Sequence, residues 1–187
     1  MKKFELTNEF VTNMFGTKLF RIRALVEFGD VEAGELGGYV EKESNLGHDD
    51  NAWVYGNARV YGDAQVSGDA RVYGNARVYG NAWVYGNAWV YGNAWVYGNA
   101  LVCSDEDYAY AHGFGSVNRT TTFFRLKDGG VGVRCGCFYG TLAQFRDKIR
   151  ETHGETKKAQ EYLMLADLME LRFEEDENEV GNRKYVE

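Results

Sequence analysis

From Asn51 to Ser104 the chain repeats a hexapeptide of the form N-A-x-V-Y-G nine times without a gap. A strict six-residue period over that length dictates the architecture before any other feature is weighed. Val recurs at every sixth residue from Val54 to Val102, and Ala sits two residues before each, from Ala52 to Ala100. A straight strand requires alternation and a helix requires apolar spacings of three and four, so neither accommodates this period. A chain that turns every six residues does. The Gly-Asn or Gly-Asp pair of each hexad, such as Gly56-Asn57 and Gly62-Asp63, supplies the positive φ the corner needs, because Gly has no Cβ and Asn and Asp tolerate that region. Three short strands and three corners close a triangular coil of 18 residues, and residues 51–104 make three such coils.

The string V-Y-G-N-A-R resembles the hexapeptide repeat of left-handed parallel β-helices, in which the branched aliphatic residue and the small residue four positions later both point inward. A core of Val and Ala alone is thin. At roughly 0.8 kcal/mol per buried CH₂ its gain is modest against the cost of ordering each coil, so capping segments and neighbouring subunits have to contribute. Grouping the hexads in threes sorts the outward residues by face: Trp53, Arg71 and Trp89 beside Tyr55, Tyr73 and Tyr91; Arg59, Arg77 and Trp95 beside Tyr61, Tyr79 and Tyr97; Gln65, Trp83 and Leu101 beside Ser67, Tyr85 and Cys103. All four Trp and seven of the thirteen Tyr are thereby expected to point away from the core. A soluble monomer rarely exposes so large a contiguous apolar patch. Three uses stand open: ladders that stabilise themselves, packing of parallel rods into a trimer or dimer, and a groove where planes stack on sugars or bases.

Net charge is −7, divided as −4 over residues 1–50, +1 over 51–104 and −4 over 105–187. No basic footprint for nucleic acid is present, and none is expected as a partner. The run Glu174, Glu175, Asp176, Glu177, Glu179 reads as a solvated tail. The opening Met1-Lys2-Lys3-Phe4-Glu5 has no apolar leader and no segment approaches a transmembrane length, so a cytoplasmic location without membrane contact is expected. Cys103, Cys135 and Cys137 are odd in number, and the last two lie too close in one strand for an ordinary bridge; reduced thiols fit the cytosol.

Residues 1–50 read as an N-terminal cap. T-K-L-F-R-I-R-A-L-V-E-F (17–28) alternates well enough for a strand or hairpin arm. Val40 and Leu46, six apart with Ser44 at the small inward position, then predict an irregular first coil, followed by a two-residue slip before Ala52. Residues 105–187 predict a small α+β domain. T-T-T-F-F-R-L and V-G-V-R-C-G-C-F form a hairpin bent at Asp128-Gly129, with Val131, Val133, Cys135 and Cys137 on one face. Thr141 and Gln144 form a capping box for a helix through His153 that stops at Gly154. A second helix, about 156–173, turns Ala159, Tyr162, Leu163, Ala166, Met169 and Phe173 to the same core.

The combination of F-G-D-V-E-A-G-E-L-G-G-Y-V-E-K-E-S-N-L, N-A-W-V-Y-G hexads, T-T-F-F-R-L-K-D-G and C-G-C-F-Y-G-T-L-A-Q-F closely resembles a group of bacteriophage and prophage β-solenoid proteins over nearly the whole chain. The resemblance implies the solenoid fold and a viral origin; such proteins are often labelled hexapeptide-repeat or acyltransferase proteins. It supplies no mechanism, because fold does not imply function.

An acyl-CoA transferase on this fold uses a His as general base, yet residues 51–104 contain no His. His48 and His112 lie just outside them and His153 at a helix end. Zinc held by three converging His has no such set here, and Cys135-x-Cys137 is only half a metal site, so no metal or cofactor is expected. A Cys137 nucleophile served by His153 is set aside because a helix of about 12 residues, about 18 Å long, separates them. The remaining class is a non-catalytic binding or assembly protein, able in a phage to sequester a host protein or a small signalling nucleotide as an anti-defence factor. Its candidate residues are Trp53, Trp83, Trp89, Trp95, Tyr85, Tyr91 and Tyr97 for a partner, with Ser116, Asn118, Arg119, Thr121 and Arg134 as donors for an anionic ligand. The expectation is therefore a left-handed parallel β-helix with an α+β C-terminal domain, homo-oligomeric and binding, with the acyltransferase as the alternative.

Overall fold

A computed structural model describes residues 2–174. The chain is mainly β, with a parallel β-solenoid of about four turns between an N-terminal hairpin and a C-terminal sheet backed by two helices. The hairpin pairs β1 (Phe4–Thr12) with β2 (Lys18–Ala24), and β2 pairs with β3 (Leu36–Val40). Nine two-residue strands follow: β4 (Trp53–Val54), β5 (Arg59–Val60), β6 (Gln65–Val66), β7 (Arg71–Val72), β8 (Arg77–Val78), β9 (Trp83–Val84), β10 (Trp89–Val90), β11 (Trp95–Val96) and β12 (Leu101–Val102). They stack in parallel as β4-β7-β10, β5-β8-β11 and β6-β9-β12. Val54 lies on Val72 and Val72 on Val90, an 18-residue step, as the period demands. Every Ala and Val of the two ladders is buried, and the corner glycines from Gly56 to Gly98 have φ between 57° and 73°.

The first coil is irregular in the expected place. Val40 pairs with Val60 and Leu46 with Val66, both 20 residues on, which is the predicted two-residue slip. Ser44, however, is exposed. The inward residue is Asn45, in a single 3₁₀ turn, and its Nδ2 donates to Gly62 O and Ala64 O at 3.0 and 2.8 Å. A corner at the end of a stack has carbonyls with no coil below to bond them, and an amide meets that need where a hydroxyl has too few donors. Lys3 does the same beside β4, its Nζ donating to Asp50 O at 2.8 Å and Ala52 O at 2.9 Å.

At the other end β13 (Tyr108–Phe114), β14 (Arg119–Arg125), β15 (Val131–Cys135) and β16 (Phe138–Thr141) form an antiparallel sheet in that order. Alternation along β14 gives it two loyalties: Phe124 enters the solenoid core, while Phe123 enters a second core with α1 (Leu142–His153) and α2 (Lys157–Phe173). The α1 capping box forms as read, Thr141 Oγ1 accepting from Gln144 N and Gln144 Oε1 from Thr141 N. Cys137 does not share the face of Val133. It is exposed in the Gly136-Cys137 turn between β15 and β16, because Cys135 already pairs with Phe138 across a two-residue bend. The acidic run beyond Glu174 lies outside the described residues. No helix among those described is long and apolar enough to cross a membrane.

Candidate functional site

The aromatic ladders do not form one exposed patch. Trp53 is fully buried, its ring edge-on to Phe4 and Phe28 at 6.1 and 5.4 Å, so the N-terminal hairpin removes it from any partner surface. The triangular coil then sends the other Trp to three different faces, each with a cation over its ring. Arg71 lies 5.4 Å from the Trp89 centroid, Lys127 lies 4.2 Å from Trp83, and Trp95 has both Arg77 at 4.6 Å and Arg134 at 5.1 Å. The tyrosines stack along their own columns: Tyr91 on Tyr73 at 5.5 Å, Tyr97 against Tyr79 at 4.3 Å and Tyr139 at 4.7 Å. Tyr85 is half-buried. Trp83, Trp89 and Tyr91 keep 44%, 44% and 41% exposure.

Burial pushes Tyr55 and Tyr61 up to about 12, with Tyr79 adding to the shift at Tyr61 against the opposing charges of Arg77, Arg59 and Arg134. The folded chain holds these protons above the ordinary tyrosine value of 10.0, where the unfolded chain releases them. Their stabilising contribution is therefore present below that value and declines as pH rises through about 12. Titration followed by phenolate absorbance should show both ionising well above 10.0; ionisation of both near that value would contradict their burial.

The anion-donor candidates separate. Ser116 bonds Tyr162 through its amide at 3.1 Å, Asn118 sits exposed at a bend with φ 49°, and Thr121 is buried, donating to Cys135 Sγ at 3.2 Å. Arg119 and Arg134 come together with Trp95 in a cleft of about 470 Å³ between the second solenoid face and the sheet. The cleft also gathers Arg77, one coil below Trp95 in register, and Asn75, Asn93, His112, Thr120 and Gly136. Among the described residues no carboxylate lines it.

Each wall is fixed from outside the cleft. Trp95 N donates to Thr122 Oγ1 at 3.0 Å, which seats β14 on the solenoid edge. Arg134 is held by Tyr79 Oη, which accepts from Nε at 3.2 Å, and by Phe138 O, which accepts from Nη1 at 2.9 Å. The Nδ1 of His112 lies 2.9 Å from Thr120 Oγ1, its cross-strand neighbour. Arg77 and Arg119 offer planar forks of donors matched to phosphate or carboxylate, and Arg134 adds its positive charge beside them. The sequence singles out neither Asn75 nor Asn93, and it gives Arg77 only as an outward residue and His112 only as a candidate base, not as walls of one cleft. The column Arg59-Arg77-Trp95 was visible, but nothing in it announces which face the sheet covers.

His48 is structural: Nδ1 accepts from Lys3 N at 3.2 Å and the ring stacks on Phe4 at 4.4 Å. His153 and Cys137, set aside as too far apart, do line a common small cavity because α1 folds back along the β15–β16 hairpin. No group of three or more metal-ligating side chains occurs among the described residues.

The class defined here is a β-solenoid repeat protein carrying a capping sheet with a cationic cleft. In five overlapping segments, 52–68, 64–78, 70–86, 76–92 and 84–98, the chain matches the family model described as YdcK Beta solenoid repeat. That likeness covers the coils alone. No curated protein matches the chain.

Proposed function

We propose that this chain is a non-catalytic binding protein whose solenoid is a rigid scaffold and whose cleft holds a small anionic ligand. One observation carries the reading: Arg77, Arg119 and Arg134 line one cleft with Trp95, with no lining carboxylate among the described residues. Like charges are brought together at a cost in free energy, which an anion offsets. Sequestration of a small signalling nucleotide in a host cytoplasm, as an anti-defence factor of phage origin, is the form of this function that the resemblance suggests. The exposed Trp83, Trp89 and Tyr91 are then left for association into a dimer or trimer or for a host protein.

Titration calorimetry with inorganic pyrophosphate tests the cleft. Charged hydrogen bonds contribute about 1.5–3 kcal/mol each, so Arg77→Ala or Arg119→Ala should each weaken binding by about 10- to 100-fold. Added salt should weaken it further. Absence of any anion binding would sink the reading.

The acyltransferase alternative has one observation in its favour, His112 on the cleft wall. It requires coenzyme A binding and loss of acyl transfer in His112→Ala, whereas a binder keeps its anion affinity within a few fold in that variant.

A further inference from the structure

Resting on that cleft, we infer that the ligand has two parts, an anionic phosphate seated among the three arginines and a ring-sized apolar group that lies in a second cavity sharing Arg119 with the cleft. This second cavity, about 180 Å³, is bounded by Cys135, Cys137, Phe138, Phe145, Ile149 and Tyr162, with Ser116, Lys148, Thr152 and His153 also lining it. A cavity of ~150 Å³ with apolar walls is large enough to take benzene, so the volume suits one aromatic ring or a short branched chain.

The two spaces meet at one side chain. Arg119 lines both, and its Nη1 lies so close over Gly136 that a Cβ there would collide with it. Gly136 faces the cleft, and its neighbours Cys135 and Cys137 face the cavity. The tight turn, with Gly136 at φ 59°, leaves room for the Arg119 guanidinium against its backbone, so Arg119 itself stands between a charged compartment and an apolar one. In the proposed complex an anion held by Arg119 carries its substituent past this side chain into the second compartment. Polar inorganic anions use the first compartment alone. Organic phosphates with a ring gain the second, since desolvating an apolar group there adds affinity in proportion to the area it buries.

The test compares inorganic phosphate, phenyl phosphate and phenol on the intact chain by calorimetry, before and after the cavity mouth is obstructed. Cys137, the exposed cysteine, is blocked with N-ethylmaleimide, with Cys137→Ala as the control for reaction at other thiols. Exposed Thr152 is separately changed to Trp. Phenyl phosphate should bind at least about tenfold more tightly than inorganic phosphate. Both obstructions should abolish that advantage while leaving inorganic phosphate within about twofold, and N-ethylmaleimide should leave the affinities of the Cys137→Ala variant where they stood before treatment. Equal affinity for the two phosphates overturns the two-part ligand and leaves the anion cleft standing. An advantage that survives both obstructions overturns the cavity as the seat of the ring. No binding of either phosphate removes the cleft itself.

Discussion

Replacing Trp53 with Ala lowers stability by about 3–5 kcal/mol, the cost of emptying a large buried aromatic site, and lowers Tm by about 6–20 °C for a chain of this size. The site cannot collapse easily. Phe4 and Phe28 flank the ring, and Gly37 is Gly because a Cβ there would run into Ile22, Val54 O and the Trp53 ring. The indole is thus the plug between the hairpin and the first coil, at the end where a thin Val and Ala core is most open to water. Its Nε1 is buried with no hydrogen-bond partner among the described residues, so Trp53→Phe gives up no such bond and should retain most of the stability. Trp83→Ala, at a site 44% exposed, should cost under about 1 kcal/mol. Thermal unfolding of the three variants checks the ranking, and a Trp53→Ala chain as stable as Trp83→Ala would contradict the plug.

Trp53 also marks where a sequence stops being informative about this fold. A repeat reports its own coil: Val at every sixth residue, Ala two before it and Gly at each corner define the step from one strand to the next, and the observed 18-residue register follows. The repeat says nothing of its ends. Trp53 occupies the same hexad position as the exposed Trp89, and only the hairpin packed over the first coil distinguishes them. Asn45, Lys3 and Asp107 cap backbone groups through contacts that local periodicity cannot encode. The α1 capping box was legible because its four residues are contiguous. In the cleft, Arg119, Arg134 and Trp95 were recognisable as donors and an aromatic surface. Their meeting with Arg77 and His112 depends on the sheet docking against the second face, a long-range choice made by Phe124 and Thr122. The cavity beside Cys137 is illegible in the sequence for a related reason: helix length alone implies separation, whereas α1 returns along the hairpin that precedes it.

Asp107→Ala should be the other severe change, and it should cost function as well as stability. Asp107 is 1% exposed. Its Oδ2 accepts from Cys103 N at 3.0 Å and Ser104 N at 3.1 Å, where the last hexad ends, and its Oδ1 lies 3.3 Å from Arg125 Nε at the end of β14. Arg125 is itself buried, donates through Nη2 to Phe173 O at 3.3 Å and lies over the Phe173 ring at 5.6 Å. One carboxylate therefore ties the solenoid end, the capping sheet and the last turn of α2 together. Removing Asp107 takes away the acceptor shared by Cys103 N and Ser104 N together with one side of a buried ion pair, at a cost of about 3–5 kcal/mol. Replacing both, as in Asp107→Ala with Arg125→Met, also removes the cost of burying the guanidinium and should recover part of the loss. Arg119 and Thr120 stand on the same strand as Arg125, so loosening β14 disperses one wall of the cleft. The single variant should bind pyrophosphate at least about tenfold more weakly even at temperatures where it remains folded. Unfolding midpoints and calorimetry on the single and double variants check both halves. Full affinity in a destabilised Asp107→Ala chain would show that the cleft holds its shape without this tie.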